Sequence, residues 1–290
     1  MITKKVTYLI PAVDINMGGI ILKQALPTNS IPHIDPFLLL HHANFTYNKN
    51  SLAIHQGIGP HPHRGFSPVT FVINGEVHHR DSRGNNQIAK EGDVQWMHSG
   101  AGIIHSERPS QQLVDTMGNQ EIIQLWINSP ANSKMKQPDY QFIKESDMPV
   151  FYSEDKHIKN KIIAGNYNGL QSRTKTESEL LLVWGESNTG SSQKIKVPKG
   201  HHSLLYVIKG ELALKGYGNV EKEYLAIFDN EEGQIEMTIP SNAQFLLLCG
   251  APLNEKVTQQ GPFVMNTQTE IMEAMRDYQM GKMGILIEDN

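Results

Sequence analysis

Phe71-Val72-Ile73-Asn74-Gly75-Glu76-Val77 returns, class for class, as Tyr206-Val207-Ile208-Lys209-Gly210-Glu211-Leu212, and this echo decides the fold. An apolar run ending in Asn-Gly reads as a strand leading into a tight hairpin turn, because Asn and Gly tolerate the positive φ that such a turn needs. The copies start 135 positions apart (71 to 206) in a chain of 290, about half its length. Self-similarity at that spacing indicates one β unit used twice. Short apolar runs at 38–40, 94–97, 103–104, 122–127 and 180–184, separated by Gly, Pro, Asn and Asp, carry the same all-β signature through both halves. Glu91-Gly92-Asp93 reads as a second turn, feeding the strand at 94–97.

The polar, turn-rich stretch 137–149 places the boundary near residue 145, giving an N-terminal barrel (1–145) and a C-terminal barrel that ends in a helix (146–290). Near the end, Thr267-Gln268-Thr269-Glu270 is a capping box that opens a short helix. Ile271, Ala274, Met275 and Tyr278 fall on one face and Gly281 is the stop, which suits a helix docked on barrel surface.

A net charge of -4, with both signs scattered along the chain, gives no electrostatic footprint for direct nucleic-acid binding. The single cysteine, Cys249, excludes an intrachain disulfide and reads as a small core residue. Met1-Ile2-Thr3-Lys4-Lys5 opens no apolar leader, and no apolar run approaches the ~20 residues that span a bilayer. The expectation is a soluble, cytoplasmic protein with no membrane partner.

The chemistry lies in two pairs, His61-Pro62-His63 and His105-Ser106-Glu107. Alternate residues of a strand share a face, so each pair presents two donors on one side. If the strands are neighbours, His61, His63, His105 and Glu107 converge on one point inside the first barrel. Three imidazoles and a carboxylate suit iron, manganese, nickel, copper, cobalt or zinc better than calcium or magnesium. The second copy is expected to lack this site. His201 and His202 are adjacent and would face opposite sides, and 243–248, where a second His-x-Glu pair is sought, is almost wholly apolar.

Other polar residues take plainer readings. His78, His79 and Asp81 lie beyond the hairpin, where exposed polar side chains are ordinary. His98 reads either as a hydrogen-bond donor behind the ligands or as a surface residue. One of His41 and His42 is expected to face inward, and Arg64 to hold a carboxylate or shape the pocket mouth. Trp96 and Met97 read as core.

His61-Pro-His-Arg-Gly-Phe66, Gly92-Asp-Val-Gln-Trp-Met97, Gly102-Ile-Ile-His-Ser-Glu107 and Gly261-Pro-Phe-Val-Met-Asn-Thr267 closely resemble signatures of the pirin family, in the cupin superfamily. Asp35-Pro-Phe-Leu-Leu-Leu40 and Gln124-Leu-Trp-Ile-Asn128 resemble further pirin segments, so the likeness runs nearly end to end. The resemblance implies two tandem jelly-roll cupin barrels, the first holding one non-haem iron(II) through His61, His63, His105 and Glu107, the second metal-free. Pirins typically carry Glu after Arg-Gly-Phe, whereas this chain has Ser67 and Pro68. That departure leaves the ligands intact and bears on the pocket lining.

Bacterial pirin-like proteins described as quercetin 2,3-dioxygenases imply a flavonol-like substrate, O2 as co-substrate and carbon monoxide as a product. Glu107 would serve as ligand and as the base that takes the flavonol hydroxyl proton. The rival implication is a redox-sensing co-regulator that meets an unidentified protein partner, although neither a basic stripe nor a switch segment is visible. A cupin enzyme without O2 chemistry, such as a sugar isomerase, is the third class the fold accommodates.

Overall fold

The computed structural model describes residues 1–288 and divides into two compact units whose ends are exchanged. One unit combines Met17–Leu22, Phe37–Glu145 and the chain from Asn254 onward, and the other combines Met1–Asn16, Lys23–Pro36 and Ser146–Leu253. The break near 145 therefore separates the middle of the chain, but a simple cut leaves both termini on the wrong side. The first strand, Val6–Pro11, pairs antiparallel with Tyr224–Phe228, so it belongs to the later unit. The C-terminal helix, expected on the second barrel, instead packs Ile271 and Ala274 against Phe263, Met265, Met283 and Ile104 of the first. Edge strands and apolar helix faces go wherever a partner is free, and sequence proximity does not decide that.

In the earlier unit a large sheet runs in the order Asp139–Ile143, Val94–His98, Phe66–Asn74, Asn119–Asn128, Phe37–Thr46, and continues beyond. Facing it is a four-stranded sheet, Ile58–His63, Ile103–Arg108, Glu76–Asp81, Asn86–Lys90. The later unit repeats the plan, its small sheet running Ser191–Lys196, Gln234–Ile239, Glu211–Leu214, Gly218–Glu221.

The echoed turn is not a two-stranded hairpin. Phe66–Asn74 lies in the large sheet and Glu76–Asp81 in the small one, so Asn74-Gly75 is a corner that carries the chain between sheets. Gly75 takes φ 79°, and a Cβ there would meet the Asn119 carbonyl oxygen at 2.3 Å. Gly210 takes φ 73° with the Asn242 carbonyl at 2.1 Å. The same corner under the same kind of carbonyl is the structural content of the repeat.

Superimposing the two plans by strand order corrects the expected counterpart of the metal site. In the first unit His105 pairs with His61 and Ile103 with His63. In the second, the equivalent pairs are Met237 with Gln193 and Ile235 with Ile195. Ile239 stands two residues beyond Met237, where Glu107 stands beyond His105. His201 precedes and His202 opens a strand of the large sheet, His202–Lys209, and 243–248 lies within another, so neither stretch is the counterpart of the strands that carry His61, His63, His105 and Glu107. The interior of the second barrel is instead filled with Val183, Leu205, Leu212, Ile235, Phe245 and Leu247. Cys249 joins that core, as read from sequence, and burial pushes its thiol up to about 12.

The helix Gln268–Gln279 forms with its capping box intact. Among the described residues no helix is long and apolar enough to cross a membrane. Because both corner glycines combine positive φ with a carbonyl in the Cβ position, Gly75→Ala and Gly210→Ala should each destabilise the protein by more than about 1 kcal/mol. Urea titration of the two variants measures this, and wild-type midpoints would contradict it.

Candidate metal centre

Each ligand pair sits on its strand with the alternation the sequence implies. Ile58–His63 and Ile103–Arg108 are antiparallel neighbours, and the register shifts between His105 and Glu107. This brings the three imidazoles together, with ring centroids 4.4 Å apart for His61 and His105, 4.7 Å for His61 and His63, and 4.9 Å for His63 and His105. One nitrogen of each lies within 4.8 Å of the others. Glu107 follows on the same face but outside that close group. Its Oε1 accepts from Thr70 Oγ1 at 2.7 Å and its Oε2 from Gln124 Nε2 at 3.1 Å, tying the small sheet to the large one.

The hydrogen bonds of the rings select their tautomers. His61 Nδ1 faces the Gly59 carbonyl at 2.8 Å and His63 Nδ1 the Pro262 carbonyl at 3.4 Å, so both Nδ1 atoms donate and both Nε2 atoms carry lone pairs. The Nε2 atoms of His63 and His105 are buried without a hydrogen-bond partner among the described residues. Orphaned buried acceptors are costly, and converging lone pairs are best satisfied by a cation. Burial, followed by repulsion from the neighbouring imidazoles, holds His63 and His105 well below the usual histidine range. Neutral imidazole is the form that binds a metal, so these residues fit the ion that the donor set calls for.

A cavity of about 260 Å³ opens beside the cluster, reaching His61, His63 and Glu107. Its walls are mainly apolar, from Leu22, Leu39, Ile58, Val77, Ile122 and Trp126, with His41, Gln120 and Gln124 as further polar groups. Gln120, Ile122, Gln124 and Trp126 are alternate residues of one strand, so period-two reading of Asn119–Asn128 was the signal that could have marked them. Thr70 had no such mark, being one polar residue in an apolar run.

Several plainer readings change. His79 and Asp81, expected at the surface, are buried at 2% and 3% exposure because Glu76–Asp81 turns alternate side chains into the barrel. His78, on the other face, bonds to Asn86. His98 is buried, not at the surface, and its Nδ1 lies near Ser67 Oγ at 3.4 Å and Ser129 Oγ at 3.5 Å. Ser67, where pirins typically carry Glu, is not among the residues that line the cavity. Arg64 holds a carboxylate of the chain itself, both terminal nitrogens donating to Asp277 at 3.1 Å. His41 and His42 are both buried, and Trp96 and Met97 are core.

His41 makes the site acid-sensitive. Burial lowers it to about 4, so the folded chain resists a proton that the unfolded chain accepts from about pH 6.5 downward. Its contribution is neutral above that pH and turns destabilising as pH falls toward 4, by on the order of 3 kcal/mol. His41→Leu should therefore flatten the decline in stability of the metal-free protein between pH 6.5 and 4, and an unchanged slope in denaturant titrations would refute this.

Comparison with known proteins places this geometry. The chain matches the pirin family over residues 19–127 and the pirin C-terminal cupin domain over residues 182–284. It is 37% identical over 250 residues to a Pseudomonas aeruginosa protein provisionally assigned as a quercetin 2,3-dioxygenase, covering 86% of this chain and 87% of that one. A pirin-like protein of Solanum lycopersicum is 34% identical over 269 residues, with 92% and 88% covered. The crystal structure of a quercetin 2,3-dioxygenase from Acinetobacter baumannii aligns with a TM-score of 0.88 at 35% identity, over 99% of this chain and 100% of that one. Both barrels match, relatives above 30% identity span most of the length, and the chain accordingly belongs to the pirin family, as a bicupin.

Proposed function

We propose that this pirin is a mononuclear metal dioxygenase acting on flavonol-like aromatic substrates, with His61, His63, His105 and Glu107 as ligands and iron(II) as the metal. One observation carries the reading: three hydrogen-bond-oriented imidazoles converge beside a largely apolar cavity in which Glu107 is the acidic group. The assignments of the Pseudomonas and Acinetobacter relatives support the same chemistry.

A bound divalent metal supplies the positive charge that stabilises a deprotonated substrate oxygen. The remaining work falls to the chain. Trp126, Ile122 and Leu39 offer apolar surface to flat aromatic rings and exclude water from the reacting face. Glu107 takes the proton of the flavonol hydroxyl, the step that makes the ring electron-rich enough to react with O2. The ring-opened ester then retains both oxygen atoms of O2, and one ring carbon leaves as carbon monoxide. Thr70 Oγ1, 2.7 Å from Glu107 Oε1 and 2.6 Å from Gln124 Oε1, and the Gln124 amide hold the carboxylate in one orientation. Such fixing spares the base the entropy of finding its position during reaction.

Aerobic incubation of iron(II)-loaded protein with quercetin should yield ring-opened product and carbon monoxide. Absence of both with every first-row divalent metal would overturn the proposal. His61→Ala should lose metal by elemental analysis, whereas retained metal would contradict its role as ligand. At saturating metal, Glu107→Gln should lower kcat by about 100-fold or more, and an unchanged kcat would remove Glu107 as the base.

A further inference from the structure

We infer that His79, backed by Asp81, is a positioning residue of the metal centre that locks His105 in its metal-binding tautomer. The inference rests on the reading of His105 as a ligand. It starts from an asymmetry among the three rings. His61 and His63 direct Nδ1 at backbone carbonyls. His105 Nδ1 instead lies 3.4 Å from the Nδ1 of another histidine, His79.

Two imidazole nitrogens can share one proton only if one donates and the other accepts. The far side of His79 decides which. Its Nε2 lies 3.0 Å from Asp81 Oδ2, and an ionised carboxylate accepts only. In its neutral form His79 therefore carries its proton on Nε2 and presents a lone pair at Nδ1. His105 must then donate from Nδ1, which leaves its orphaned Nε2 as the lone pair toward the cluster. Reversing the Asp81 end would reverse every proton in the row and cap the His105 donor atom with hydrogen.

The relay is built to hold this polarity. Asp81 also receives the Arg83 backbone N–H at 2.9 Å, the Asn85 backbone N–H at 3.1 Å and the Asn85 side-chain amide at 2.8 Å. Burial works to raise the Asp81 carboxyl, but these donors and His79 outweigh it and hold the group below the usual carboxylate range. The His79 ring is fixed in plane by stacking on Tyr140, with centroids 4.2 Å apart and planes 13° apart. Register completes the arrangement, setting His79 opposite Glu107 and Asp81 opposite His105. A carboxylate at the end of the row also makes His105 a more basic donor than the two rings bonded to neutral carbonyls.

The test uses cobalt(II) as both ligand and spectroscopic probe on the full chain. His79→Phe keeps the stack on Tyr140 and removes the acceptor. It should weaken cobalt(II) binding by about 10- to 100-fold and alter the visible spectrum of the bound ion. His79→Gln, whose amide oxygen can accept from His105, should recover most of the affinity. Asp81→Asn, an isosteric change that lets the row reverse, should weaken binding as His79→Phe does. His78→Gln, on the outer face, should match wild type. A purely structural role predicts lower melting temperatures with unchanged affinity and spectrum in both His79→Phe and Asp81→Asn, and that result overturns the inference. His105→Ala separates the two levels. Normal binding there would overturn the ligand assignment itself, whereas weak binding there with normal binding in His79→Phe would overturn the relay alone.

Discussion

The antiparallel register that sets His105 opposite His61 underlies every property of the centre, and much of what holds it comes from the far end of the chain. A slip of one residue would turn each candidate ligand to the opposite face, so the two strands must be pinned. Arg64, next to His63, is clamped to Asp277 of the C-terminal helix, and Arg108, next to Glu107, pairs with Glu288 at 2.8 Å. Pro262 supplies the carbonyl facing His63, while Ile104, next to His105 and opposite Pro62, packs into the cluster formed with the helix. Lys134, buried and lowered to about 8 by desolvation, donates to the carbonyls of Gly65 and Val264 at 2.7 and 3.1 Å. These cations, Arg64 and Lys134 buried and Arg108 half-buried, bridge segments distant in sequence, and each has acceptors to offset its desolvation.

The barrel interiors show two uses of one plan. Where the first unit carries His61, His63, His105 and Glu107, the second carries Gln193, Ile195, Met237 and Ile239, and a continuous apolar core fills the space. The buried imidazoles of His63 and His105, each with an unsatisfied Nε2, cost stability until they are bound to something. An apolar core carries no such penalty. The first barrel therefore carries this cost at the place where its imidazoles converge.

Polar groups inside the first barrel are organised around that cluster of imidazoles. Thr70, Gln124 and Glu107 form one connected set across the two sheets, and His105, His79 and Asp81 form another along the small sheet. Nearly every member has a partner, and those left without one are the atoms aimed at the cluster. In a low-dielectric interior such connected sets specify one arrangement of side chains.

Much of this was legible in the sequence because it depends on short-range rules. Alternation along a strand fixes that His61 and His63, or His105 and Glu107, share a face, and a capping box fixes where the last helix begins. The half-length echo reported a duplicated corner that glycine alone fits without strain. Partnership between distant segments is not a local property. Nothing near Glu76–Asp81 shows which side of that strand is covered, so His79 and Asp81 read as surface until the opposite sheet closes over them. Likewise Val6–Pro11 and the C-terminal helix carry no mark of the barrel each will join, since that choice depends on which edge and which apolar face remain free once the barrels have formed. The residue types and spacings of the site were thus determined by sequence alone, whereas their tautomers, their supports and the counterpart positions in the second barrel were decided by tertiary structure, because hydrogen-bond partners and burial exist only after distant strands have come together.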